Sequence, residues 1–141
     1  MKKEFRIELA ADNQRMIEFL EDKLYEYSSA KIGKRDGLLF SRIVKDENNS
    51  IVAGVAGWTW ATVCEITQLW VDGKFRNRGI GKRLLSEAES EARKKGCVRI
   101  LVRSYSFQAP EFYESHGYSI VHVLPDFPVS HRYYFLLKTI L

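Results

Sequence analysis

The chain is short of the residues that mark stapled, membrane-spanning or low-complexity proteins. Its 141 residues include two cysteines and three prolines. Cys64 and Cys97 lie far apart in sequence without metal-type spacing, so they read as free thiols acting as small core hydrophobes, which fits a reducing, cytoplasmic setting. The longest weakly polar stretch, 51–60, contains two glycines and is half of the ~20 residues needed to cross a bilayer. The start, Met1-Lys2-Lys3-Glu4-Phe5-Arg6, has no apolar run behind its charges and does not read as a secretory signal. No repeat or Pro/Ser-rich linker divides the sequence, so it reads as one domain, 1–141. Charge of one sign is scarce as well. Against 18 acidic residues stand 22 basic ones, a formal net charge of +4. That excess is too small for the basic face of a nucleic-acid binder, and neither nucleic acid nor membrane is expected as a partner.

What is present suffices for a packed core. Hydrophobic residues make up 45% and aromatic residues 13%, and a domain of this length can bury about 68–70% of its unfolded surface. Phe5, Ile7 and Leu9 alternate with polar residues as in a short strand. Asp12 can cap a helix whose apolar positions are Met16, Ile17, Leu20, Leu24 and Tyr27. Residues 28–37 read as an exposed loop or a short irregular helix. Strands are expected at 38–45 and 51–60, joined by the turn 46–50, and at 63–71 after a tight connection at Ala61-Thr62. Ile80, Leu84, Leu85, Ala88 and Ala92 mark a helical face ended at Gly96. A strand at 98–102, a helix from Pro110 ended by Gly117, and strands at 118–124 and 132–137 complete the chain. The order predicts a mixed α/β fold: a single-domain, mostly antiparallel sheet flanked by helices, with strand–helix–strand crossovers in the second half.

One segment carries chemistry: Val71-Asp72-Gly73-Lys74-Phe75-Arg76-Asn77-Arg78-Gly79-Ile80-Gly81-Lys82-Arg83. It joins a predicted strand to a predicted helix, where unpaired N–H groups can bind phosphate. Helix starts favour acidic residues, yet this one carries Lys82 and Arg83 behind Arg76 and Arg78. The alternative is a glycine turn with solvated bases. A phosphate loop of the Walker type fails because Arg76 and Arg83 stand where Gly and Ser/Thr are required. A dinucleotide fingerprint fails because Leu84 stands at its third glycine.

The remaining pattern, Arg76-x-x-Gly79-x-Gly81 after a Val-ended strand, resembles the pyrophosphate-binding signature of the GNAT superfamily of acetyl-CoA-dependent N-acetyltransferases. Ala109-Pro110-Glu111-Phe112-Tyr113-Glu114-Ser115-His116-Gly117-Tyr118 resembles that family's second motif, Ala-x-x-x-Tyr-x-x-x-Gly-Phe/Tyr, and the two stand in family order and separation. The resemblance covers most of the chain. It implies an N-acetyltransferase domain that uses acetyl-CoA as cosubstrate and no metal. Amides around Arg78, Gly79, Ile80, Gly81, Lys82 and Arg83 would hold the pyrophosphate, with Arg76 and Asn77 also in the cofactor site. Leu69, Trp70 and Val71 would offer main-chain groups to the pantetheine where their strand splays from its neighbour. Ser106 and Ala109 would also face the cofactor, Ser106 standing where the family often has Asn.

The implied reaction is direct attack of a primary amine on the thioester. Such an amine is mostly protonated at neutral pH and needs a base. Glu65 is the candidate, working through a water, with an ordinary salt-bridged strand glutamate as the alternative. Tyr113 matches the family's general acid, with packing as the alternative, and a backbone N–H near Val71 would stabilise the oxyanion. His116 reads as a helix-terminal residue, and His122 lies on a strand. The segment 126–131 resembles a loop of one bacterial GNAT branch that could line the acceptor site, and Trp58, Trp60 and Trp70 could form a cleft wall. Rival readings are a non-catalytic acyl-CoA-binding sensor and a small nucleic-acid-binding domain. The latter expects aromatic–basic alternation on a sheet face, and none is evident in the sequence. Small amines, polyamines, aminoglycosides and protein amines all remain open as acceptors. Glu26, Asp36 and Asp126 are available for a cationic one, and a homodimer is compatible with pairing of final-strand edges. Between Asp72 and Arg83 lie five of the 22 bases and one of the 18 acids, leaving 17 of each elsewhere. The chain is neutral apart from one cationic loop.

Overall fold

Asp12 begins the first helix by accepting a hydrogen bond from the Arg15 N–H at 3.2 Å, which satisfies one of the donors a helix start leaves open. In the computed structural model, which describes residues 4–141, this helix α1 spans Asn13–Ile32. Gly33, with φ +68°, closes it by donating to the Ser29 carbonyl at 2.8 Å. The loop expected from residue 28 is therefore corrected in part. Ser28 to Ile32 contain no helix breaker, and the first residue suited to a left-handed cap is Gly33. The strand expected over Phe5–Leu9 is also corrected, since residues 4–10 hold no regular structure. Alternation makes a strand only where a ladder partner accepts it.

The described chain divides into a unit ending at Arg35 and a second, Asp36–Leu141. The second contains a six-stranded sheet of order β1-β2-β3-β4-β6-β5. Strands β1 (Leu38–Lys45), β2 (Ile51–Trp60) and β3 (Val63–Val71) form the expected antiparallel run. Helix α2 (Ile80–Lys94) then crosses to β4 (Arg99–Tyr105), parallel to β3. Single-turn helix α3 (Pro110–Glu114) leads to β5 (Ser119–Pro125), and β6 (Arg132–Thr139) returns between β4 and β5. Strand β4 runs three residues beyond the expected end at Val102 because β6 continues to pair with it through Tyr105.

One face of the sheet holds the core. Leu84, Leu85, Ala88 and Ala92 of α2 pack with Ile66, Ile100, Val102 and Leu136 of the strands, and Tyr113 and Tyr118 join the same cluster. Cys64 and Cys97 are buried free thiols, as expected of small hydrophobes. No helix among the described residues is long and apolar enough to cross a membrane.

Candidate functional site

Strand β3 pairs with β4 only from Val63–Arg99 to Ile66–Val102. Beyond that point 68–71 stay paired with β2, and 103–105 with β6. The sheet therefore opens between β3 and β4, leaving main-chain groups without a partner across the gap. A bulge marks the start of the opening. Gln68 faces Ala56 and Ile66 faces Gly57, so Thr67 is the extra residue, and its hydroxyl donates to the Ala56 carbonyl at 3.2 Å. Leu69 and Val71 turn their half-buried side chains to the core cluster, while Trp70 between them points to the other face. The Val71 carbonyl is already engaged, accepting from Arg76 Nε at 3.0 Å.

After β3, Asp72 shapes a 3-10 turn, Gly73–Phe75, by accepting from the Lys74 N–H at 2.9 Å. Asn77 and Gly79 are both left-handed, with φ +62° and +80°. Arg78 lies over the Phe75 ring at 5.3 Å. Gly79 is the N-cap of α2 and supplies no side-chain cap, and the first turn has no acidic residue. The first bond back along the helix is from the Arg83 N–H to the Gly79 carbonyl at 3.1 Å, which leaves the N–H groups of Ile80, Gly81 and Lys82 outside the helix ladder. A Cβ at Gly79 would meet nothing within 4 Å, so the space over this turn is open. Uncapped donors, the positive end of a 15-residue helix and exposed Arg76, Arg78, Lys82 and Arg83 suit a pyrophosphate.

Helix α3 stands beside this turn. A Cβ at Gly81 would touch the Phe112 ring at 3.5 Å, and Phe112 meets Tyr113 edge-on at 5.3 Å. Tyr113 is 9% exposed, and burial pushes its phenol up to about 12. Its other aromatic neighbour, Tyr118, donates to Glu89 Oε2 at 2.9 Å, and Lys138 Nζ reaches the same oxygen at 2.9 Å. Ala109 precedes α3 as an exposed N-cap without a side-chain bond. Ser106 is committed locally: its hydroxyl accepts from the Arg132 N–H at 3.1 Å and its N–H donates to the Arg132 carbonyl at 2.8 Å.

Glu65 alternates with the core residues Cys64 and Ile66 and so faces the opposite side of the sheet. It is 8% exposed, between Trp58 of β2 and Leu101 of β4 in register, and Arg103 Nη2 donates to its Oε2 at 3.0 Å. Glu65 and Tyr113 thus approach the opening from opposite faces.

Arg103 was not among the sequence candidates. The signal available was its odd-numbered placement with Arg99 and Leu101 on one strand face, which has meaning only once β3 and β4 are known to be parallel. A second omission is an aromatic cluster on the Glu65 face. Tyr105 and Tyr133, paired across β4 and β6, stack at 4.3 Å. Phe107 extends the stack from Tyr105 at 5.2 Å, and Phe127 from Tyr133 at 5.4 Å. The ring column is not visible as alternation in the sequence, because its rings come from 105–107 and 127–133. Of the acceptor-side carboxylates, Asp36 accepts from the Ala61 N–H at 2.9 Å and Asp126 from the Ser130 N–H at 3.2 Å. Glu26 pairs with Lys23 at 3.6 Å within α1. His116 Nδ1 lies 2.8 Å from the Phe112 carbonyl at the end of α3. His122 is exposed, its ring 6.0 Å from that of Phe135.

A model of the acetyltransferase (GNAT) family matches residues 3–118. A blasticidin-S acetyltransferase of Streptomyces morookaense is 35% identical over 96 residues, 65% of this chain and 68% of that protein. An acetyltransferase of Bacillus cereus, known from its crystal structure, is 36% identical with a TM-score of 0.80, covering 96% of this chain and 98% of that one. An aminoglycoside 6'-N-acetyltransferase crystallised with coenzyme A shares the fold at 22% identity and a TM-score of 0.65, over 73% of each chain. With its sheet opened between β3 and β4 beside an uncapped, cationic helix start, the chain belongs to the GNAT family of acetyltransferases.

Proposed function

We propose that this protein transfers the acetyl group of acetyl-CoA to a primary amine on a small molecule. The observation that carries the reading is the opening between β3 and β4 next to the bare N-terminus of α2. The N–H groups from Arg78 to Lys82 would hold the pyrophosphate, with Arg76, Arg78 and Arg83 adding charge. The main-chain groups of Leu69 and Val71 that face the opening, other than the Val71 carbonyl held by Arg76, would take the amide-bearing pantetheine arm as a strand-like partner, with Trp70 between them. Ser106 has its hydroxyl committed to Arg132, so its role is to set the end of β4, with Ala109 starting α3 beside the arm. Acetyl-CoA supplies the activated acyl group.

The acceptor ammonium gives one proton to Glu65, directly or through one water. The neutral nitrogen then bonds to the acyl carbon and the carbon–sulfur bond breaks. The second proton, which the nitrogen sheds on becoming an amide, passes through solvent to restore Tyr113 once it has protonated the sulfur. A main-chain N–H near Val71 stabilises the oxygen as it gains charge. Tyr113, kept protonated by burial, donates to the departing sulfur. Arg103 orients Glu65 through the 3.0 Å ion pair. The small-molecule acceptor is supported by the relative named for acetylating blasticidin S.

Two measurements test this. Calorimetry should detect acetyl-CoA binding, and a thiol-release assay over an amine panel that includes blasticidin S should detect acetyl-dependent turnover. Absence of binding would overturn the proposal. Binding with no turnover on any amine would leave an acyl-CoA-binding module in its place.

A further inference from the structure

The aromatic cluster on the Glu65 face is more exposed than packing alone explains. Its four rings form one column, Phe127–Tyr133–Tyr105–Phe107, with centroid spacings of 5.4, 4.3 and 5.2 Å and interplanar angles of 25°, 27° and 6°. The two phenylalanines at its ends are 49% and 59% exposed. Two large rings left half in water, aligned with a stack that could have been closed over, make a surface that favours another flat ring.

The column is also held in place. Tyr105 accepts at its carbonyl from the Gln108 N–H at 2.9 Å and donates its own N–H to Gln108 Oε1 at 2.8 Å, which fixes the turn carrying Phe107. The Phe127 N–H donates to the His131 carbonyl at 3.2 Å, and the His131 N–H to the Pro128 carbonyl at 2.9 Å. Rings fixed in this way lose little entropy when a ligand stacks on them.

Its position gives it an occupant. Arg103 lies two residues before Tyr105 on the same strand face, and its guanidinium holds Glu65 at 3.0 Å. The column therefore lies along the same sheet face as the carboxylate that takes the amine's proton in the reaction above. Resting on that reading, we infer that the column is the acceptor platform, and that the acceptor is a primary amine carrying a planar aromatic or heteroaromatic ring. The ring stacks on Phe127 or Phe107 while the amine reaches the opening beside Glu65.

The test compares amines matched in charge and size but differing in flatness: 2-phenylethylamine and tryptamine against 2-cyclohexylethylamine and hexylamine. Turnover with acetyl-CoA and calorimetric binding to the CoA-loaded protein are both measured. The flat amines should show kcat/KM at least tenfold above the saturated ones. Phe127→Ala and Phe107→Ala, both at exposed positions and expected to fold, should together raise KM for the flat amines about tenfold. The affinity for acetyl-CoA should stay within twofold. Tyr133→Leu, which keeps volume and loses the π face, is a second probe of the column. Equal handling of flat and saturated amines overturns the platform while leaving the transferase in place. If no amine turns over, the calorimetric comparison still decides, and equal affinity for 2-phenylethylamine and 2-cyclohexylethylamine overturns the platform. Loss of a dimer in the double variant by light scattering, with acceptor affinity unchanged, assigns the column to a second copy of this chain and overturns it as well.

Discussion

A phenol that must protonate a departing thiolate has to keep its proton until the carbon–sulfur bond breaks. Tyr113 meets that requirement, since a phenol is neutral at physiological pH and burial raises this one further, from 10.0 to about 12. Its contacts are the edges of Phe112 and Tyr118, so Tyr113→Phe keeps the packing and removes only the proton. In the proposed reaction this variant lowers kcat at least tenfold, with acetyl-CoA affinity within twofold by calorimetry. Glu65→Gln should be different. It too lowers turnover at pH 7, but activity returns as the pH approaches 10, where the amine deprotonates without help. Small, equal effects of Tyr113→Phe on rate and affinity would reduce that residue to packing, and loss without recovery at high pH would remove Glu65 as base. The two candidates were legible because each lies in or near a contiguous motif. Arg103 and the ring column were not, because Arg103 meets Glu65 only through the parallel pairing of β3 and β4, and Tyr105 meets Tyr133 only through the pairing of β4 and β6.

Beside the opening between β3 and β4, one position in the neighbouring strand has room only for glycine. Gly57 of β2 faces Ile66 where the register shifts. A Cβ there would press into the Glu65 carbonyl and lie 2.8 Å from the Phe40 ring. The phenyl ring is buried and the carbonyl is backbone, so neither yields cheaply. Gly57→Ala should therefore destabilise the protein by about 3 kcal/mol, read as a lower urea midpoint, and weaken acetyl-CoA binding by moving β3. Gly79→Ala is the contrast. Its φ of +80° penalises alanine by about 1 kcal/mol, but the new methyl meets open space. A midpoint for Gly57→Ala no lower than for Gly79→Ala would show that β2 and β3 can part without strain. Most elements were readable from the sequence, and the bounds of β1, β2 and β3 follow from turn residues that flank them. The misreadings have a common origin. Residues 4–10 alternate without a ladder, β4 continues because β6 does, and α1 runs on past Tyr27 to its first left-handed glycine, Gly33.

Over the whole molecule, the buried ionisable groups set a limit on alkaline stability. Burial, then the charges of Cys97 and Glu65, raises Cys64 from 9.0 to about 12. Burial raises Tyr113 to about 12 and also raises Cys97, next affected by Asp36. Tyr118 is raised by burial and by the Glu89 carboxylate it donates to. All four are neutral in the folded chain over a range where the unfolded chain has begun to ionise. The unfolded state thus binds fewer protons between about pH 9 and 12, and stability falls as pH rises through that window. At pH 10.5 an unfolded cysteine is about 1.5 pH units past its midpoint of 9.0, so Cys64 alone accounts for about 2 kcal/mol of lost stability relative to pH 7.5. Cys64→Ser supplies the control, since a hydroxyl fits the site and does not titrate there. The serine variant is expected to be less stable at pH 7.5, because a buried hydroxyl replaces a thiol, yet its loss between pH 7.5 and 10.5 should be smaller by about 2 kcal/mol. Urea unfolding at both pH values, with m-values checked for constancy, measures the difference. Parallel losses in the two proteins would place the alkaline sensitivity elsewhere, in Cys97 or the two buried tyrosines.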